Sequence, residues 1–245
     1  KEWESMCIPF DEDAKICLNG VIDRVDLCSL PGEELIKIID YKSSDSQDLS
    51  LAKVYYGLQM QLLTYLEAAK EMVEKEHKGK EAVPAAMLYY AIKEKNLDWK
   101  PESEEEYEKR VLDSMKCKGY VNEEPEIIGH LDKSIVNGGE LIPGQKSVVV
   151  PVAVDKKGLL KKNSETLSTK DFETLIAHTK EKMKECGKAI LDGKIEAIPY
   201  VYEDNDGCTY CPYGSVCGHE SKKDGVREMK KMSDDEVWEA LYGDD

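Results

Sequence analysis

Gly20-Val21-Ile22-Asp23-Arg24-Val25-Asp26, followed one strand later by Ile38-Ile39-Asp40-Tyr41-Lys42, decides how this sequence reads. Val21–Leu27 alternates β-branched residues, Leu35–Tyr41 is an apolar run of strand length, and Pro31-Gly32 supplies a turn between them. The pattern predicts an antiparallel hairpin of Gly20–Leu27 with Leu35–Lys42. An aspartate at the end of an apolar strand is costly unless it is paired or holds a metal. Side chains alternate along a strand, so Asp40 and Lys42 point to one side of the sheet, and Asp23 reaches the same spot if the register allows. Two carboxylates and a lysine in one patch suit metal-assisted phosphodiester hydrolysis. The carboxylates offer oxygen ligands to Mg²⁺, the cation activates water, and the lysine orients that water or neutralises developing charge. Taken alone, D-x-K is also an ordinary surface ion pair. Asp26 falls on the face opposite Asp23 as a salt-bridge partner, Arg24 is placed beside Asp23, and Tyr41 points away from Asp40 as a packing residue.

Working outward, Ile16–Leu18 reads as a strand before the hairpin. Ser43–Ser50 reads as a polar loop, and Leu51–Lys75 as one long helix with Leu58, Leu62, Tyr65, Leu66 and Ala69 on its apolar face. Ala85–Ile92 is a buried strand. Asn96–Glu126 is acidic and helical in composition, with Glu102–Glu108 a solvated face. Ile127–Pro151 is loop-rich with a break at Gly138-Gly139, Ser147–Val154 reads as an edge strand because of Pro151, and Lys156–Asn163 is a basic turn. Ser168 is a helix N-cap with Asp171 completing a capping box, and the helix stops at Gly193. A Pro/Gly-rich cysteine loop and a short amphipathic piece, Asp234–Leu241, close the chain.

The chain has 245 residues, 41% hydrophobic and 34% charged, with 34 Lys+Arg against 50 Asp+Glu and a net charge of −16. That balance excludes a simple basic nucleic-acid coat, whose affinity rests on neutralised phosphates. It leaves room for an enzyme that meets DNA through metal-bound carboxylates. No run of about 18 apolar residues is present, so no membrane partner is expected. The start, KEWESMCIPF, resembles neither a signal peptide nor an initiator, and reads as cut from something longer. Cys7, Cys17, Cys28, Cys117 and Cys186 stand singly, as small buried hydrophobes of a reduced cytoplasm do. Cys208, Cys211 and Cys217 form C-x2-C-x5-C. Spacing alone admits zinc, with His219 as a fourth ligand, or a [4Fe–4S] cluster wanting four thiolates.

The whole string of GVIDRVD, IIDYKSS and a helix carrying Gln59-Met60-Gln61-Leu62-Leu63-Thr64-Tyr65 resembles the RecB-like branch of the PD-(D/E)XK nucleases. The resemblance implies an α/β (α+β-like) restriction-endonuclease-like core, a central mixed sheet flanked by helices. It implies Asp23 and Asp40 as metal ligands, Lys42 as the catalytic lysine, and Gln61 with Tyr65 as the family's Q-x-x-x-Y pair. Gln59 is the alternative glutamine, because i and i+2 face different sides of a helix. With KCKGYV at Lys116–Val121, IEAIPY at Ile195–Tyr200 and the cysteine loop in order, the chain is similar to the C-terminal nuclease domain of the AddB family. That implies a RecB-like nuclease domain over 1–200 and a cysteine-rich loop and tail over 201–245. It implies a Mg²⁺- (or Mn²⁺-) dependent DNA exonuclease of double-strand break repair, acting in the cytoplasm on single-stranded DNA. Its partners would be an AddA-like helicase/nuclease subunit and the remainder of its own AddB-like chain.

In the family the three clustered cysteines join a far-upstream one around a [4Fe–4S] cluster. No upstream cysteine is recognisable here, since Cys7 lies too close to the first strand. The family's metal-site histidine, on a helix before the first strand, is absent too, and His77, His130, His178 and His219 read as ordinary. Glu2 or Glu4 could approach the site instead. Two further readings stay open: a catalytically silent module bracing a larger complex, and a free-standing RecB-like exonuclease.

Overall fold

The computed structural model describes residues 6–43, 48–92, 98, 100–101, 103–220 and 224–243. Glu2 and Glu4 lie outside them.

The predicted hairpin is the edge of the main sheet. β1 (Met6–Pro9) and β2 (Lys15–Leu18) form a separate antiparallel pair, and β3 (Arg24–Ser29) and β4 (Glu33–Lys42) form the hairpin, with Arg24 opposite Ile39. After the short α1 (Leu51–Tyr55), α2 (Gln61–Glu76) carries the chain to β5 (Glu81–Ala91), which pairs parallel to β4. Then come α3 (Glu104–Ser114), β6 (Lys118–Asn122), α4 (Pro125–Leu131), the small hairpin β7 (Val136–Asn137) and β8 (Glu140–Leu141), and β9 (Thr166–Leu167). Strand order in the five-stranded sheet is β3-β4-β5-β6-β9, mixed parallel and antiparallel. α5 (Thr169–Leu191) precedes a small sheet of β10 (Tyr200–Tyr202), β11 (Asn205–Asp206) and β12 (Arg227–Glu228); α6 (Gly214–Cys217) and α7 (Asp234–Tyr242) complete the chain.

Both sheet faces are covered, which explains the near-continuous apolar runs of β4 and β5. Ile36, Ile38 and Met87 pack with Leu62, Leu63 and Leu66 of α2 and with Phe172 and Leu175 of α5. The three α2 leucines are at most 1% exposed, each contributing about 2 kcal/mol of burial. Ile39, Ala86, Leu88 and Val121 meet α4 and the 135–152 segment on the other face. Asp40 and Lys42 continue the Ile36–Ile38 row, so they project toward α2. Pro84 sits inside β5, and the register shift beside it between Ile36 and Lys37 takes up the extra residue of β5. Tyr202 and Val237 join the α2-side core, tying the C-terminal segment to it.

Several elements differ from the sequence reading. The Leu51–Lys75 helix breaks between Tyr56 and Met60, where Gly57 takes φ +76°, a value favouring glycine. The acidic Asn96–Glu126 stretch conceals β6, a short strand between charged flanks. Part of the expected Ile127–Pro151 loop is α4 and the β7–β8 hairpin turning at Gly138-Gly139. Ser147–Val154 is not a strand: the Ser147 hydroxyl accepts from the N–H of Val149 and Val150, and donates to Asp132, curling the segment. Among the single cysteines, Cys7 and Cys17 face each other across β1–β2 and form a disulfide, and Cys186 is exposed. The buried-thiol reading therefore holds for Cys117 and not for these three. The Ser168–Asp171 capping box is present as read.

Candidate active site

Asp40 is 3% exposed at the inner end of β4. Its Oδ2 lies 2.6 Å from Lys42 Nζ, and no described residue gives that buried oxygen a well-aligned hydrogen bond. Lys42 Nζ also donates to Gln61 Oε1 at 2.9 Å, and Gln61 Nε2 donates to the Tyr65 hydroxyl at 2.9 Å. The i, i+4 spacing of Gln61 and Tyr65 on α2 makes that last bond possible. Tyr89, opposite Asp40 in the parallel pair, sits under the ammonium, with Lys42 Nζ 5.1 Å from the ring centroid. Its hydroxyl is pushed up to about 12, first by burial and then by the charges of Asp40 and Tyr65. Asp23 is exposed just before β3, and its Oδ2 accepts from the Tyr41 N–H at 2.9 Å. The five side chains singled out from the sequence thus converge at one end of the sheet.

The two glutamines separate cleanly. Gln59 closes the loop before α1, accepting from Ser50 N at 2.9 Å and donating to Asp48 O at 3.1 Å. Gln61 alone faces Lys42. Arg24 corrects the reading that placed it beside Asp23: its guanidinium binds Asp26 at 2.8 and 3.0 Å on the opposite face. Asp26 also pairs with Lys37 at 2.8 Å, as a salt-bridge partner should. Tyr41 packs edge-on against Tyr90. Tyr89 was not singled out in the sequence, because the alternation of β5 shows that its two tyrosines take opposite faces but not which one meets Asp40.

A hard divalent cation fits this end of the sheet. Mg²⁺ is held by one or two carboxylates and keeps several waters, and Asp40 presents an unsaturated buried oxygen next to the solvent-facing Asp23. Among the described residues no group of three His, Cys, Asp or Glu side chains forms a metal cage, which such a water-rich site does not need. The cysteine loop is different. Asp206 Oδ1 accepts from the N–H of Cys208 at 2.9 Å and Thr209 at 2.7 Å, shaping the turn. Burial, Asp206 and the neighbouring Cys211 and Cys217 push the Cys208 thiol up. All three thiols are free and exposed. The His219 ring is buried, with neither ring nitrogen hydrogen-bonded to a described residue. The described residues offer three thiols and no convergent set of four ligands, so they do not complete a cluster site and no step is routed through one.

A sequence profile described as the PD-(D/E)XK nuclease superfamily matches residues 2–218. The chain belongs to the PD-(D/E)XK nuclease superfamily. Proteins named as the AddB component of an ATP-dependent helicase/deoxyribonuclease are similar to it along most of its length. That of Lachnoclostridium phytofermentans is 35% identical over 236 residues, 95% of this chain and 20% of the relative. That of Thermoanaerobacter sp. (strain X514) is 35% identical over 230 residues, covering 93% and 19%. That of Clostridioides difficile (strain 630) is 32% identical over 233 residues, covering 94% and 20%. The chain therefore spans about a fifth of the length of these PD-(D/E)XK relatives.

Proposed function

We propose that this PD-(D/E)XK chain is a metal-dependent deoxyribonuclease module, hydrolysing phosphodiester bonds of single-stranded DNA delivered by a helicase during double-strand break repair. The observation that carries the reading is the buried, unsaturated Asp40 oxygen beside Lys42, with Asp23 at the adjacent edge. Asp23 and Asp40 would hold Mg²⁺ or Mn²⁺, which supplies Lewis acidity and charge neutralisation at the scissile phosphate when bound. Lys42 aims its ammonium at the phosphate oxygens and at the attacking water. Gln61 fixes the Lys42 amine from one side while Tyr65 fixes Gln61, so the lysine keeps its aim without extra ordering cost in the reaction. Tyr89 lines the wall below the ammonium and excludes water.

The finer reading is a Mg²⁺-dependent exonuclease acting in the bacterial cytoplasm, where chromosomal DNA lies. Its partners are an AddA-like motor subunit and the remainder of an AddB-like chain; the names and lengths of the relatives support this. The same reading divides the chain into a nuclease domain over 1–200 and a cysteine-rich segment over 201–245. A [4Fe–4S] cluster on Cys208, Cys211 and Cys217 is supported by the spacing and the free thiols, with its fourth ligand outside the described residues.

The test is cleavage of end-labelled single-stranded DNA in Mg²⁺ or Mn²⁺ by wild type and Lys42→Ala. Cleavage lost in the variant is the expected result, and equal cleavage by both would refute the site. A bracing module without chemistry would have no use for the four-residue chain from Asp40 to Tyr65.

A further inference from the structure

A groove of about 360 Å³ leaves the reaction centre between Lys42 and Gln61 and ends at the cysteine loop. Its walls differ in chemistry. One carries Lys42 and Lys53; the other carries Tyr200 and Tyr210, with Tyr89 at the inner end. Tyr210 is 92% exposed, in a chain whose aromatic share is 7%. An aromatic ring held almost wholly in water gains nothing from folding. The loop that carries it is shaped by Asp206, whose Oδ1 takes the Cys208 and Thr209 N–H groups and the Thr209 hydroxyl at 2.9, 2.7 and 2.9 Å. The Cys211 N–H to Cys208 carbonyl bond of 3.1 Å closes the turn around Tyr210.

We propose that this groove seats unpaired nucleotides next to the scissile phosphate, with their phosphates along Lys42 and Lys53 and one base stacked on Tyr210. The inference rests on the nuclease reading for the identity of the substrate, and adds a binding residue and a role for the cysteine loop. The Asp206 carboxylate also lines the groove on the tyrosine side. It repels phosphate there, which directs the backbone to the lysine wall and leaves the bases to the rings. Every base has a π-face, so stacking on tyrosine tolerates any sequence but requires an unpaired strand. The volume, near the small end of the roughly 300–1,000 Å³ range of ligand pockets, suits a single strand and not a duplex. Stacking also answers how a chain of net charge −16 holds DNA. Two lysine contacts give a salt slope of only about −1.4 for a single strand, so affinity depends little on counterion release.

The test measures binding and turnover separately on the full chain. Binding of a fluorescein-labelled twelve-residue thymidine oligonucleotide is followed by anisotropy in EDTA, where no cleavage occurs. Tyr210→Ala is expected to weaken binding about 10-fold (about 1.4 kcal/mol), Tyr210→Phe to restore it, and Lys53→Ala to flatten the salt slope by about 0.7. Tyr107→Ala, an exposed tyrosine on α3, is the control and should bind as wild type. In Mg²⁺ the Tyr210→Ala defect should appear in KM and not in kcat. Wild-type affinity in Tyr210→Ala, or equal losses in the Ala and Phe variants, overturns the groove. Lys42-dependent cleavage by wild type is read in the same series. If it is absent while Tyr210→Ala still loses affinity, the nuclease reading fails and the groove stands.

Discussion

Lys42→Ala in the absence of metal tests the electrostatics of the site before any catalysis is measured. Asp40 is 3% exposed and Lys42 supplies its adjacent positive charge at 2.6 Å. Removing one partner of a fully buried pair costs about 3–5 kcal/mol, whereas exposed pairs are worth about 0–1 kcal/mol. The Lys42 side chain is 21% exposed and that of Asp40 4%, so the loss should lie between, at about 2–3 kcal/mol. For a chain of this length that lowers Tm by about 4–12 °C. Asp40→Asn combined with Lys42→Ala should recover part of it, because a neutral side chain needs no countercharge. Mg²⁺ at ten times its Kd should return about 1.4 kcal/mol to Lys42→Ala. Differential scanning fluorimetry in EDTA and in Mg²⁺ reads all of these. A Lys42→Ala protein melting with wild type in EDTA, or a double variant no better than the single, would refute the reasoning.

Other consequences are as specific. Gln61→Ala should lower kcat about 10- to 100-fold, since each 1.36 kcal/mol of lost positioning is tenfold in rate, while Gln59→Ala should lower Tm and leave kcat within about twofold; steady-state kinetics and melting separate them. Gly119→Ala should cost about 3 kcal/mol or more in urea unfolding, because φ is +120° and a Cβ would lie 2.3 Å from the Met87 carbonyl oxygen. Gly20→Ala, where a Cβ meets nothing within 4 Å, should change stability by less than about 1 kcal/mol. Glu34 is buried; burial pushes its carboxyl up, but bonds from Ser29, Lys80 and His77 together hold it below the ordinary 4.5. A carboxylate with a lowered folded pKa stabilises above its unfolded value and loses that contribution as pH falls through the folded one. Glu34→Gln should therefore be less stable than wild type at pH 7, with the gap closing below pH 4.5 in urea titrations.

The hairpin and its chemistry were legible because alternation, a Pro-Gly turn and the spacing of Asp40 and Lys42 are all local. Assigning Gln61 over Gln59 needed the packing of α2 on β4, which no short stretch encodes. β6 was hidden because Lys118–Asn122 is short and flanked by charge, and it is a strand only because β5 and β9 pair with it. Val148–Val154 misled in the opposite sense: its β-branched run has the right composition, but the Ser147 hydroxyl captures the backbone N–H groups a neighbouring strand would need. The break at Gly57 escaped notice because Leu58, Leu62 and Leu66 keep a helical period across it. The Cys7–Cys17 bond depends on the register of β1 with β2, which ten intervening sequence positions do not specify.

The most direct measurement is Mg²⁺-dependent cleavage of end-labelled single-stranded DNA by this chain beside a version extended upstream, each with and without Lys42→Ala and with an EDTA control. The account predicts cleavage that EDTA abolishes and that Lys42→Ala reduces about 100-fold or more. Cleavage that persists undiminished in the Lys42→Ala protein, or that EDTA leaves intact, would contradict it.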